Sequence, residues 1–167
     1  MTKKIDFYFD FISPYSFLAH KKIISSNDRN KFNYKAILLG GAAGNFVTPE
    51  SINLPLTFED THEAGVALGS GVIMVFSDKD EITKTVHRIA EFFRDESCGQ
   101  CVPCRVGTVR QEELLLRISD NNSLEAERNL FDDLAAVMSD ASICGLGHTA
   151  SSAVRSALDL GLLENKS

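Results

Sequence analysis

Four cysteines carry the chemistry most readily open to this chain. Cys98, Cys101 and Cys104 stand at i, i+3 and i+6, and Cys144 follows 40 residues later. Three soft thiolates at that spacing in a loop can wrap three corners of a small inorganic cluster. One distant thiolate then closes the site, which is the arrangement expected of a [4Fe–4S] centre. Structural zinc more often takes two separated Cys/His pairs, so the three-plus-one division favours iron–sulfur. Zinc, a redox dithiol and inert thiols stay open as alternatives. Gly99, Gly107, Gly145 and Gly147 would let backbone N–H groups approach the sulfurs, or else serve only turns and caps. Arg94, Arg105 and Arg110 would offset the negative charge of such a site, or else line an ordinary solvated helix face.

The elements that must position these thiols are helices. Ile82, Val86, Ile89, Ala90 and Phe93 form one apolar stripe, so a helix is expected from Asp78 onward. A second helix is expected from near Cys104 or Arg105 to about Ile118. A third follows, capped by Asn122 with Glu125, with Leu130, Phe131, Leu134, Val137 and Met138 inward. Thr149 starts a fourth, burying Val154, Ala157 and Leu158. In an up-down-up-down bundle the first and third interhelical loops lie at one end. The cysteine triplet is in the first of these loops and Cys144 in the third, so periodicity alone brings the four thiols together.

Upstream, Ile5, Phe7, Phe9 and Phe11 alternate with polar neighbours as a strand. Ser13-Pro14 then reads as an N-cap and first helical residue, opening a helix over about 14–24. Tyr34 to Leu39 reads as a strand stopped by Gly40-Gly41, and 42–56 as a loop with Pro49 and Pro55. Asp60 with Glu63 suggests a short helix with Gly69 as its C′ residue, and Val72 to Phe76 a short buried strand.

Composition bounds the function. Among 167 residues, 17 Lys+Arg face 23 Asp+Glu, and a net charge of −6 leaves no basic excess for nucleic acid. No apolar run approaches the ~18–20 residues of a membrane span, and the N-terminus lacks the apolar core of a signal peptide. An intracellular setting is expected, in which cysteines serve as ligands or reactive groups before disulfides. The charge is uneven: residues 1–41 carry +4 and residues 42–167 carry −10. The first glycine is Gly40, so no Gly-rich dinucleotide fingerprint follows the first strand. His20, His62, His87 and His148 are scattered without metal-ligand pairing.

The run Glu96-Ser-Cys-Gly-Gln-Cys-Val-Pro-Cys-Arg-Val-Gly-Thr108, with Ser142-Ile-Cys-Gly-Leu-Gly147, resembles the C-terminal iron–sulfur domain of the NADH-binding flavoprotein subunit of respiratory complex I. The diaphorase subunits of NAD-dependent formate dehydrogenases and hydrogenases have the same domain. The resemblance runs from about Lys35 to the end. Leu39-Gly-Gly41, Leu54-Pro-Leu56 and Leu68-Gly-Ser-Gly71 resemble the small β-grasp-like domain that precedes it. It implies that Cys98, Cys101, Cys104 and Cys144 ligate the cluster, which passes electrons from a reduced flavin to other iron–sulfur proteins. That family binds FMN and NADH in a larger, more N-terminal domain, so neither is expected in this chain.

Residues 5–19 resemble a different family: the opening of 2-hydroxychromene-2-carboxylate isomerases and kappa-class glutathione transferases, which have a thioredoxin-like fold. That resemblance makes Ser13 the residue placed to meet the glutathione sulfur, against a plain N-cap role. The two resemblances meet near Tyr34 to Gly41, where the charge shifts, as a fusion or recombination joint would.

The expected fold is α+β, with a thioredoxin-like β-α fragment at 1–41 and a partial β-grasp-like segment at 42–77. A four-helix [4Fe–4S] bundle follows at 78–167. The expected function is electron transfer through the cluster. A glutathione-dependent isomerase or transferase fragment using Ser13 and a zinc-stabilised helical interaction module are the alternatives. Any catalysis would belong to an assembled complex. Expected partners are iron–sulfur or flavin subunits of a redox complex, with no nucleic acid and no direct membrane insertion. The expected location is the cytoplasm or the cytoplasmic side of a membrane complex.

Overall fold

The computed structural model describes residues 9–10, 34–121 and 124–163. Ser13, the helix expected at 14–24 and Asn122 lie outside them, as does all but Phe9–Asp10 of the first expected strand. The chain divides into two compact units, residues 1–80 and 81–167.

The first unit is a small antiparallel sheet with the order β1-β4-β2-β3. Its strands are β1 (Phe9–Asp10), β2 (Tyr34–Leu39), β3 (Asn45–Val47) and β4 (Val72–Ser77). β4 pairs with β1 on one side, Phe9 opposite Ile73, and with β2 on the other, Leu38 opposite Met74. β3 was not expected: the stretch read as loop instead places Phe46 opposite Leu38 on β2. Three residues are too few for a period to show, and the pairing comes from β2 folding back through Gly40 and Gly41. Gly40 has φ 88°, and a Cβ there would stand 2.5 Å from the Ala67 carbonyl oxygen. Only glycine fits that approach without strain. Ile37, Leu39, Val66 and Ile73 form the core beneath the sheet, with Val47, Leu54 and Leu56 against it. β4 is half-buried rather than buried, since Val75 is exposed.

A short helix, α1 (Phe58–Glu63), crosses between β3 and β4 in sequence. Its cap is Thr57, whose Oγ1 accepts from the Asp60 N–H at 3.1 Å, not the Asp60–Glu63 pair read from the sequence. Its C′ residue is Gly65 at φ 67°, where Val66 N–H returns to the Thr61 carbonyl. Gly69 instead packs on Gly40: a Cβ there would lie 2.2 Å from the Gly40 carbonyl oxygen.

The second unit is helical: α2 (Ile82–Glu96), α3 (Val102–Asn121), α4 (Leu124–Ala141), α5 (Gly145–Thr149) and α6 (Ser152–Asp159). The α2 stripe of Ile82, Val86, Ile89, Ala90 and Phe93 is buried as periodicity requires. α3 begins earlier than expected, so Cys104 lies in its first turn. On α4 the inward residues are Phe131, Ala135 and Met138, while Leu130 and Val137 are exposed. The inward face thus runs through a small alanine, which hides the phase from an apolar count. The fourth helix, expected from Thr149, begins at Ser152 as α6 and buries Val154, Ala157 and Leu158, and the short α5 that ends at Thr149 was not expected.

Cross-helix polar bonds fix the packing. Arg128 Nη1 on α4 donates to the Leu158 carbonyl of α6 at 3.2 Å. Gln111 Nε2, fully buried on α3, donates to the Ala150 carbonyl at 3.0 Å, at the break between α5 and α6. Arg117 Nε and Nη2 donate to the two Glu127 carboxylate oxygens at 2.9 and 3.0 Å, joining α3 to α4. This bidentate bond holds the Glu127 carboxyl below the usual carboxylate range. Its stabilisation is therefore full above the unfolded value of about 4.3 and is lost as pH falls through the lower folded value. Glu127→Gln should lower the urea midpoint at pH 7 and flatten its fall between pH 5 and pH 3, as read by denaturation across that range.

Candidate iron–sulfur site

Two loops of the helical unit carry Cys98, Cys101 and Cys144, and the first turn of α3 carries Cys104. The first joins α2 to α3. Gly99, at φ 74°, turns the chain after Cys98. Ser97 Oγ lies 3.3 Å from Cys104 Sγ and accepts from the Gly99 N–H at 3.4 Å. Arg105 Nη1 donates back to the Gly99 carbonyl at 3.4 Å, and its N–H to the Cys101 carbonyl at 3.0 Å. The second loop joins α4 to α5. Cys144 caps α5 through its backbone, without a side-chain hydrogen bond. His148 Nε2 lies 2.7 Å from the Ser142 carbonyl oxygen and ties the loop back on itself.

The two loops adjoin. The Cys101 sulfur receives the backbone N–H of Ile143, and a Cβ placed on Gly147 would lie 3.1 Å from Cys104 Cβ. The Ile143 N–H, then that of Cys104, hold the Cys101 thiol below its usual range, aided by the Ser142 hydroxyl and opposed by desolvation. Backbone donors favour the thiolate, the form that binds metals. All four cysteines are free thiols: Cys104 is buried, Cys101 half-buried, Cys98 and Cys144 exposed. Among the described residues no three His, Cys, Asp or Glu side chains stand in a metal-holding cluster. The structure thus joins Cys101 and Cys104 to the Cys144 loop, while Cys98 stands exposed at the start of the first loop. The donor set is sulfur around two adjoining loops, which fits a soft metal cluster rather than oxygen-loving cations.

The arginines and glycines divide. Arg105 belongs to the cysteine loop. Arg94 is committed to Glu112, donating to both carboxylate oxygens at 2.5 Å, and Arg110 to Glu113 at 2.5 Å. Gly107 serves helix packing, since a Cβ there would meet Met138 Cγ at 2.4 Å. Ser97 and Ser142, which touch the cysteines, escaped sequence reasoning. Nothing but their nearness in sequence to Cys98 and Cys144 marks them.

A helical unit presenting four free thiols around two adjoining loops offers soft sulfur donors. Comparison with known proteins makes the class specific. Residues 84–160 match the NADH-ubiquinone oxidoreductase-F iron–sulfur binding region, and residues 4–96 match the DSBA-like thioredoxin domain. The chain belongs to the second family, whose match takes in more than half of it, and its helical part is similar to the first. The helical part is a [4Fe–4S]-binding region.

The chain is 29% identical over 126 residues to the NADP-reducing hydrogenase subunit HndC of Solidesulfovibrio fructosivorans, covering 75% of this chain and 26% of that one. It is 38% identical over 91 residues to a subunit of the NADH-quinone oxidoreductase of Aquifex aeolicus, covering 54% and 21%. The solved structure of an H2-reduced NAD+-reducing [NiFe]-hydrogenase matches at a TM-score of 0.68 and 28% identity, covering 81% of this chain and 24% of that one. The chain thus spans about a quarter of the length of these relatives. An alignment over 126 of 167 residues also reaches upstream of residue 84, so the likeness includes part of the sheet unit. The DSBA-like match continues past Gly41 and overlaps the iron–sulfur match over 84–96. No helix among the described residues is long and apolar enough to cross a membrane.

Proposed function

We propose that the chain is a one-electron relay whose [4Fe–4S] cluster is held by Cys98, Cys101, Cys104 and Cys144. The observation that carries this reading is the adjoining of the two cysteine loops, with Ile143 N–H on the Cys101 sulfur. The bound cluster supplies reversible one-electron storage. The chain's own residues hold and shape the centre: Gly99 turns the first loop, Arg105 braces it, and His148 fixes the second. Cys98 and Cys144 are exposed, and so are their apolar neighbours Val102 and Ile143. A centre at the surface with an apolar rim suits electron exchange with a protein partner. The partner class is an iron–sulfur or flavin subunit of a redox complex on the cytoplasmic side of a membrane. In this reading the cluster module is residues 78–167, a four-helix bundle with the short α5 set before its last helix, α6. Residues 1–41 and 42–77 are thioredoxin-like and β-grasp-like pieces that precede it.

Anaerobic purification of the full chain, followed by metal and acid-labile sulfide analysis, tests this. Iron and sulfide in equal amounts, with an EPR signal on reduction, are expected. Zinc without sulfide would overturn the reading in favour of a zinc-stabilised module.

A further inference from the structure

Ser142 lies between the two cysteine loops, its hydroxyl close enough to act on the Cys101 thiol but in no well-formed hydrogen bond within the protein. The residue is 8% exposed, and its Oγ is buried. Buried hydroxyls are nearly always paired, so one in no well-formed bond and facing a binding site points to a ligand. Its surroundings say which. Ser142 Oγ and Cys104 Cβ lie 2.2 and 3.1 Å from one point, the position that a Cβ on Gly147 would take. The next residue, Ile143, gives its N–H to the Cys101 sulfur. The Ser142 carbonyl is held by His148, which fixes the backbone that aims the side chain. On the facing loop, Ser97 Oγ stands 3.3 Å from Cys104 Sγ.

Resting on the cysteine reading above, we infer that Ser142 is a tuning residue. Its hydroxyl donates a hydrogen bond to a cysteine sulfur ligand and raises the reduction potential of the cluster, and Ser97 assists at Cys104. A ligating thiolate has no proton, so the serine must be the donor. An added electron increases the negative charge on the sulfurs, and a donor aimed at them is then worth more. The reduced form gains relative to the oxidised form, and the potential rises.

The test is an EPR-monitored redox titration of the full chain, beside iron and sulfide analysis of every sample. Ser142→Ala should keep its iron and sulfide while its midpoint falls. The oxidised-to-reduced ratio at a fixed potential should change about tenfold, ~59 mV for a one-electron couple. Ser97→Ala should shift the same way, and Ser139→Ala, at an exposed site on α4, should not shift. The titration reads the midpoint of whatever cluster assembles, so a reduced yield leaves it decisive. An unchanged midpoint in Ser142→Ala overturns the tuning role. Complete loss of cluster overturns it too, by assigning the hydroxyl to assembly. An unaltered chain without iron and sulfide would instead sink the cysteine reading itself.

Discussion

Cys144→Ser should cut the iron and acid-labile sulfide held per chain several-fold, or convert the cluster, while the helices still form. The two halves of this expectation have separate causes. Serine offers an oxygen of much higher pKa, a harder and weaker ligand for a soft cluster than a thiolate. The centre then has three sulfur ligands, all from the first loop and the turn of α3 that follows it, and the second loop no longer closes it. Folding, in contrast, draws little on this side chain. Cys144 is exposed, its sulfur caps nothing, and the core of the unit consists of Val86, Leu114, Phe131, Met138 and Val154. Far-UV circular dichroism should therefore change little, although stability added by cluster binding is lost with the cluster. Cys104→Ser is expected to be harsher, because Cys104 is 5% exposed and touches Ser97 as well. If Cys144→Ser kept its iron content and reduced-state EPR signal, Cys144 would not be a ligand.

The parts of this site that were legible in the sequence are those fixed by local spacing. The triplet at i, i+3, i+6 needs no tertiary information, and the α2 stripe is regular over three turns. What stayed hidden depends on partners far along the chain. Arg94 looks available to the cluster until Glu112, 18 residues on, takes its guanidinium. Ser142 is one hydroxyl among many until the fold buries it in no well-formed hydrogen bond. β3 gains its identity only from its pairing with β2, and Gly65 differs from Gly69 as a helix stop only through the bond from Val66 to Thr61. The DSBA-like match over 4–96 has the opposite character: the sequence carries it, while Ser13 and the helix expected after it lie outside the described residues.

The close fit of the two loops makes Gly147→Ala a sharper probe of the site than its size suggests. In isolation the change should help α5, since alanine is favoured over glycine in a helix by roughly 1 kcal/mol. Space decides otherwise. The added Cβ would lie 2.2 Å from Ser142 Oγ, 2.5 Å from Ser142 Cβ and 3.1 Å from Cys104 Cβ. The hydroxyl can rotate away, but the Ser142 Cβ is anchored to a backbone that His148 holds, so the loop itself must shift. Overpacking of this kind costs about 1–3 kcal/mol. The expected net is a loss of up to about 2 kcal/mol, together with weaker cluster retention, because the displaced loop carries Cys144. Gly145→Ala is the matched control. It lies in the same helix with nothing within 4 Å of an added Cβ, and should be neutral to slightly stabilising. Denaturation midpoints and iron content of the two variants should therefore move apart, although they differ from each other only by the placement of one methyl group two residues along α5. Equal behaviour would mean that the Ser142–Gly147–Cys104 contact does not hold the two cysteine loops together.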